Sequence, residues 1–363
     1  MAKRVSADKT LFTVTLLLVF IGLIMVFSAS AVMAKERFGS PYAFLWRQVA
    51  WALAGLGAMF GAMKLDYRRY RHPTVVFFLL GLTTLLLVLV FFLDRSHNTH
   101  RWVRVRALSL QPSELAKPAI ILFLAWFLST RAKSMDDWRR TLAPAVTPAL
   151  ALAGLILMEP DLGTSVACVA ITAIILYVAG MRLRYFAYAL APLPLFFYVF
   201  IVRVQWRYAR VLAFLDPYAD PQGRGFHVIQ SMIAVGTGGL TGIGLMEGKQ
   251  KLFYLPEPHT DFIFAVTAEE LGLLGSLFVV TLFAIFLYRG LRAATLTSDL
   301  FARYLATGIV AMVVVQALIN ISVVLGMMPT KGIPLPFVSY GGSSLFIMLA
   351  SVGVLLNITQ QTG

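Results

Sequence analysis

Residues 11–34 read LFTVTLLLVFIGLIMVFSASAVMA, with no charged side chain among them. As a helix, 24 residues extend about 36 Å, enough to cross the ~30 Å hydrocarbon core of a bilayer. Lipid offers the backbone no hydrogen-bond partner, so a spanning segment must close its bonds internally. The run is too long for a signal peptide and further spans follow it, so it reads as a retained helix. Nine more runs of suitable length occur at about 44–63, 73–92, 114–130, 142–158, 164–180, 186–204, 262–288, 304–326 and 343–360. The expected fold is all-α: a polytopic membrane protein of about ten transmembrane helices, a single membrane domain over 1–363. A large outer loop between helices 7 and 8, residues 205–261, is expected to carry short interfacial helices.

Composition agrees. Hydrophobic residues make up 59% of the 363, and charged residues only 13%, about half the share of a soluble domain. That excludes a soluble globular enzyme, a disordered chain and a disulfide scaffold. One cysteine, Cys168, allows neither an internal disulfide nor a cysteine metal cluster.

An even number of spans puts both termini on one side. Segments 1–10, 64–72, 131–140, 181–185 and 289–303 hold 16 Lys and Arg in 49 residues. The positive-inside rule assigns them, and both termini, to the cytoplasm. The other 15 cations lie on or near the outer side, Arg101, Lys117, Arg207, Arg210, Arg224 and Lys331 among them. Taken singly, most read as solvated loop charge; as a group they suggest an anion-binding outer face. No nucleic-acid motif accompanies them.

Carboxylates in a membrane are costly and rare, so each is a functional candidate. Glu114, Glu159, Asp161 and Asp261 fall at outer helix ends. Glu269 and Glu270 lie eight and nine residues beyond Asp261, hence ~12–14 Å deeper along one unbroken helix. They fit either a buried polar network or an ion or proton path.

Three clusters stand out. Arg101-Trp102-Val103 precedes Gln111-Pro112-Ser113-Glu114-Leu115-Ala116-Lys117. There Ser113 is a plausible N-cap, and Glu114 and Lys117 share a helical face. The outer loop ends in Leu255-Pro256-Glu257-Pro258-His259-Thr260-Asp261. Prolines hold this approach extended, Thr260 is a possible cap, and Asp261 is either a helix-dipole partner or a reactive carboxylate. The third, Pro329-Thr330-Lys331-Gly332-Ile333-Pro334-Leu335-Pro336 through Ser339 to Ser344, breaks the helix at the outer edge. Irregular backbone survives at that depth only beside protein or a water-filled cavity.

These motifs resemble the shape, elongation, division and sporulation family, the polytopic peptidoglycan polymerases that include FtsW, RodA and SpoVE. The likeness covers essentially the whole chain. It rests on RWV with QPSELAK, EPDLGT at 159–164, LPEPHTDFIFAVTAEELG at 255–272 and PTKGIPLPFVSYGGSS at 329–344. FLDPYADPQGRGFHVIQS at 214–231, with KQKLFYLPE downstream, is nearer the FtsW/SpoVE branch than RodA. Glu159 departs from the Gln the family often has there.

The resemblance implies a polymerase of lipid II, a disaccharide-pentapeptide on undecaprenyl pyrophosphate, in the bacterial cytoplasmic (inner) membrane. It implies Asp261 as the catalytic aspartate and Glu114, Lys117, Trp102 and Lys331 as functional positions near substrate. Arg101, His259, Thr260 and Ser339 are carried as further substrate-side candidates. It also implies a class B penicillin-binding protein as partner within division or elongation machinery, since the chain has no serine transpeptidase motif. A divalent cation, Mg or Mn, would be shared with pyrophosphate, as no dedicated cage is visible; no organic cofactor is expected. The competing hypotheses are a lipid II flippase, which would need polar residues reaching the cytoplasmic side, and a scaffold without chemistry.

Overall fold

The computed structural model describes residues 6–93, 101–105, 108–135, 137–252 and 254–361. All ten predicted spans are helical. Seven are long and apolar enough to cross a membrane by length and composition. They are α1 (Lys9–Phe38), α3 (Pro73–Leu93), α4 (Pro112–Thr130), α5 (Ala143–Met158, preceded by a wider turn from Trp138), α11 (Ile263–Leu296), α12 (Leu300–Val324) and α13 (Gly342–Thr359). The other three are α2 (Ala43–Lys64), the 17-residue α6 (Leu162–Val178), and a bent pair. That pair joins α7 (Leu183–Leu190) to α8 (Leu193–Phe197) and the turn that follows, at 41°. Pro192 and Pro194 sit at the bend, where proline removes a donor and clashes with the preceding turn.

α12 is the central helix, with 18 of its 25 residues buried. It packs on α4, α6 and α11, while α2 and α13 form the tightest pair at the side. The Asp8 amide donates to Thr359 Oγ1 at 3.1 Å, and Arg289 holds Asp8 at 2.6 Å. Both ends of the described chain therefore meet on one face, as an even number of spans demands.

The opposite face holds the long loop, with α9 (Gln205–Leu215) and α10 (Phe226–Thr237). A small element not expected from sequence also lies ahead of α4: a two-stranded antiparallel ribbon, β1 (Val103–Val105) and β2 (Leu108–Leu110), with Val103 opposite Leu110.

α11 is not the continuous helix assumed from sequence. Its 34 residues would extend about 51 Å, well beyond the hydrocarbon core. It breaks at Gly272, whose φ of 66° and ψ of −164° only glycine adopts readily. The part beyond the break suffices to span. Ile263–Glu270, every residue of it buried, forms a separate half-helix within the outer layer. The strand of loop after α10 runs alongside the break. Leu273 and Leu274 amides donate to the Gly239 and Leu240 carbonyls, while Ile243 and Gly244 amides donate to those of Glu269 and Glu270. The backbone groups freed by the break are thus satisfied, as burial requires.

Candidate active site

Asp261 lies in the loop ahead of α11. The helix starts at Ile263, and its cap residue, Phe262, makes no side-chain cap bond. Thr260 caps nothing; its hydroxyl points back to the Glu257 carbonyl at 3.3 Å. Ser113 likewise falls inside the first turn of α4, whose cap position is Gln111. The two helix starts are made by proline and by loop packing rather than by a hydroxyl cap.

What holds Asp261 is a backbone zipper. The carbonyls of three consecutive residues are each bound. His259 O accepts from Tyr340 N at 2.9 Å, Thr260 O from Ser339 Oγ at 2.6 Å, and Asp261 O from Asn320 Nδ2 at 2.8 Å. Ser339 is turned inward; its Oγ also accepts from Leu335 N at 2.7 Å, and Gln48 of α2 donates to its carbonyl at 3.1 Å. The His259 ring is buried against Phe44 (4.7 Å between centroids) and Tyr340 (5.5 Å). Burial pushes its pKa down, and Glu257 only partly opposes this. His259, Thr260 and Ser339 therefore build the loop that carries Asp261; none lines the cavities below.

Glu114 and Lys117 are also away from the cavity walls. Both are 2% exposed. Lys117 Nζ donates to Glu114 Oε1 at 2.9 Å and to Gln316 Oε1 at 2.6 Å; Ser344 Oγ donates to Glu114 Oε2 at 2.6 Å. Gln316 Nε2 then donates to the Pro334 carbonyl at 2.9 Å. A buried pair is tolerable because each charge has further partners. Its product is a fixed position for the broken-helix loop. The helical-face pairing read from sequence is present, but it faces inward.

The turn between α5 and α6 forms a third wall. Asp161 caps α6, accepting from Thr164 N at 3.1 Å and Thr164 Oγ1 at 2.8 Å. Arg101 donates through Nε to the Glu159 carbonyl at 3.0 Å and through Nη2 to the Pro160 carbonyl. Arg207 donates to the carbonyls of Phe200 (3.0 Å) and Leu157 (3.4 Å). Two arginines thus cap the C-terminal end of α5, where carbonyls are unpaired and a cation is favoured. The Glu159 carboxyl is fully buried, and neither oxygen has a hydrogen-bond partner among the described residues. Burial, then the Asp161 charge, push its pKa to about 9 against Arg101.

Two cavities meet at Asp261. The first, about 580 Å³, is lined by Arg210, Asp220, Arg224, His227, Glu257, Asp261 and Lys331 among others. The second, about 430 Å³, has Arg101, Asp161, Arg207 and Arg210 at one end. Phe197, Ile201, Trp206, Val211 and Phe214 give it an apolar stretch of wall. Arg210, Asp261, Thr330, Lys331 and Gly332 line both. The second cavity reaches the bent span, none of whose residues from 183 to 202 is buried.

Electrostatics match this setting. Desolvation, reinforced by Glu257 and Asp161, pushes the half-buried Asp261 carboxyl to about 7; Arg210 and Arg101 pull the other way. Among the described residues nothing hydrogen-bonds that carboxylate. Burial lowers the pKa of Lys331, with Asp161 opposing, and lowers that of Arg210. Gly332 lies against Asp261: a Cβ there would be 2.8 Å from Oδ2.

Of the residues expected from sequence, Asp261, Lys331 and Arg101 come together around the cavities. Trp102, half-buried just before β1, lines neither. Arg210 and Arg224, read from the sequence only as members of the outer cation group, line the first cavity, and so do His227 and Glu257, which were not proposed as site residues. One signal was available, since Arg207 and Arg210 are three apart in α9 and fall on one helical face. Gln316 and Asn320 were also missed, in a span that reads as apolar. Arg95 and Arg106, outer cations by sequence, lie outside the described residues.

Glu269 and Glu270 form a closed network. Glu270 accepts from Lys251 Nζ at 2.6 Å, Ser28 Oγ at 2.7 Å and Met246 N at 3.0 Å. Glu269 accepts from the Lys249 and Gln250 amides at 2.9 and 3.2 Å. The carboxylates hold the outer loop to α1 and to the broken end of the half-helix. No group of three or more His, Cys, Asp or Glu that could hold a metal occurs among the described residues.

The chain matches the FtsW/RodA/SpoVE family model, described as a cell cycle protein, over residues 8–363. It is 44% identical over 360 residues to stage V sporulation protein E of Bacillus subtilis (strain 168), covering 99% of this chain and 98% of that one. It is 41% identical over 354 residues to the probable peptidoglycan glycosyltransferase FtsW of Geobacter metallireducens, covering 97% and 94%. Both relatives fall in the branch that the 214–231 stretch suggests. Among solved structures, a chain from "Structural coordination of polymerization and crosslinking by a peptidoglycan synthase complex" superposes with a TM-score of 0.82 at 31% identity, over 99% of each chain. The Thermus thermophilus rod shape determining protein RodA superposes with a TM-score of 0.71 at 27% identity, over 98% of this chain and 97% of that one. With a family match over nearly its whole length, and relatives above 40% identity that it covers end to end, this chain belongs to the FtsW/RodA/SpoVE family.

Proposed function

We propose that this chain is a peptidoglycan glycosyltransferase that polymerises lipid II at the outer face of the bacterial cytoplasmic membrane. The observation that carries the reading is the position of Asp261. It stands between two contiguous cavities, with Arg210 and Lys331 lining both. Polymerisation brings two large lipid-linked sugars to one point, and two cavities sharing a carboxylate and two cations suit that need. The apolar wall of the second cavity, against the exposed bent span, suits a lipid-bearing substrate.

The chemistry follows. A sugar hydroxyl attacks an anomeric carbon as the bond from that carbon to the pyrophosphate oxygen breaks. Asp261, with its pKa near 7, accepts the hydroxyl proton as the bond forms, a general-base role worth about 10²–10⁴-fold. Arg210 and Lys331 face the departing pyrophosphate, where fixed cations offset developing charge. The described residues form no cage for a divalent cation, so one would be held chiefly by the substrate's own pyrophosphate. Such a cation would supply Lewis-acid stabilisation of the same charge.

A flippase is disfavoured by the packing below the site. From Ala119 to Leu128 the buried side chains of α4 are all apolar, and the buried α12 side chains beneath Gln316 are apolar except Thr307 and the hydroxyl of Tyr304. No polar route reaches the terminus-bearing face there. The termini are placed in the cytoplasm by the charge bias of their side. A class B penicillin-binding protein is the proposed cross-linking partner, in division or elongation machinery; the polymerization and crosslinking named for the structural neighbour support that pairing.

The test is glycan synthesis from labelled lipid II by the purified chain with its transpeptidase partner. Asp261→Asn should abolish polymer while thermal unfolding is unchanged. Full activity in that variant would sink the proposal.

A further inference from the structure

α12 runs through the middle of the bundle, yet carries two buried amides on one face, Gln316 (1% exposed) and Asn320 (2%). Residues four apart on a helix are neighbours, and both point at the broken-helix loop. Gln316 meets the Pro334 carbonyl. Asn320 does something different: its Nδ2 donates to two carbonyls from separate segments, Asp261 O at 2.8 Å and Ile333 O at 2.7 Å. Its Oδ1 is buried with no partner among the described residues. An unpaired buried acceptor is costly, and a flipped amide would set oxygen against two oxygens. The residue is therefore present for its two N–H donors.

Those donors join the two loops that meet at the reaction point. One carries Asp261. The other carries Lys331 and Gly332, the residues immediately before Ile333, and Gly332 already lies against the Asp261 carboxylate. Among the described residues no other hydrogen bond ties the Asp261 backbone to that loop. The neighbouring zipper bonds, at His259 and Thr260, run to Tyr340 and Ser339 further along.

We propose that Asn320 is a positioning residue for glycosyl transfer: its amide clamps Asp261 O to Ile333 O and so sets the separation between the carboxylate and the Lys331–Gly332 segment. It touches no substrate. The clamp leaves the Asp261 side chain free while fixing its backbone, and keeps both loops in register across the wall the two cavities share. This rests on the reading of Asp261 as general base.

The experiment uses the full chain in lipid nanodiscs with its transpeptidase partner, and measures initial rates of lipid II polymerisation from pH 5.5 to 9. Asn320→Ala and Asn320→Asp, which lose the two donors, should lower kcat about 10–100-fold, with KM within threefold of wild type. Asn320→Gln, which keeps an amide, should recover part of the rate. The acidic limb of the pH profile should move down in Asn320→Ala, because a loosened loop lets water reach Asp261. Gly332→Ala acts on the same separation, so combining it with Asn320→Ala should cost less than the product of the single effects. Wild-type kcat in Asn320→Ala overturns the proposal. So does a loss with an unmoved limb and fully multiplicative combination with Gly332→Ala, which would mark a merely structural amide. If Asn320→Ala does not fold, the Asn320→Gln rate and limb decide on the same criteria. Should Asp261→Asn itself retain activity, the functional reading fails first; should it be dead while Asn320→Ala is normal, only the clamp fails.

Discussion

Gly332→Ala probes the site with one methyl group. The added Cβ would stand 2.8 Å from Asp261 Oδ2, where ordinary contact begins near 3.4 Å. About 0.6 Å must be found. The backbone cannot readily supply it, because Asn320 holds the Asp261 and Ile333 carbonyls at 2.8 and 2.7 Å. The carboxylate therefore turns away. Misplacement of a reacting group by about 1 Å costs on the order of 10²-fold, so a displacement of this size should lower kcat roughly 10–50-fold. Folding should not suffer: Gly332 is exposed and has no left-handed φ, and a compatible Gly→Ala change restricts the unfolded chain, adding up to about 1 kcal/mol. The assay is glycan chain synthesis from fluorescent lipid II, paired with thermal unfolding in the same nanodiscs. A normal rate with normal stability would refute the close carboxylate–glycine contact and, with it, the placement of Asp261 at the reaction point.

Other expectations follow from the same geometry. Asp261→Asn should drop polymerisation by about 10²–10⁴-fold, and wild-type activity should fall below pH 7, since the base must be ionised and its pKa lies at about 7; a rate unchanged down to pH 5.5 would contradict this. Glu270→Gln strips the charge from a pair whose side chains are 0% and 4% exposed. Leaving Lys251 uncompensated should cost about 3–5 kcal/mol, read as a lower unfolding midpoint. Glu159→Gln should raise thermal stability. The folded pKa of about 9 exceeds the ordinary carboxyl value, so the stability of the wild type is fullest below ~4.5 and is lost as pH rises toward 9. The Tm advantage of the Gln variant should grow across that window and level off above it; a constant offset would show that Glu159 does not titrate there.

Much of the fold was legible because lipid imposes a simple rule. An apolar run near 20 residues must be a helix, and cation density orients it. Every predicted span is helical, the seventh included, although its 41° bend beside Pro192 and Pro194 was not read from the sequence. The breaking of α11 was not legible. Its glycine is one of many, and what forces the break is a loop from elsewhere whose backbone pairs with residues 269–274. Glu269 and Glu270 changed character with it, from carboxylates along an unbroken helix to anchors of the outer loop.

The site divides in the same way. Asp261, Lys331 and Arg101 stood out because their motifs are dense in proline, glycine and charge. Glu114 and Lys117 also stood out, and the pairing at three-residue spacing is real, but helical periodicity does not say whether a face meets solvent or core. Gln316 and Asn320 carried no signal: one amide in an apolar span reads as incidental until the carbonyls facing it are known.

By itself, then, the sequence determined the spans, their orientation and the chemical types gathered at the outer face. These depend on local hydrophobicity, backbone propensity and charge, which are properties of contiguous residues. Tertiary structure alone decided which charged groups face a cavity and which are consumed in the scaffold, because hydrogen bonds between segments 13 to 291 residues apart set those positions. Asn320 shows the distinction most plainly. It is inert in the sequence of its helix, and becomes a clamp only when two distant loops bring their carbonyls to the same amide.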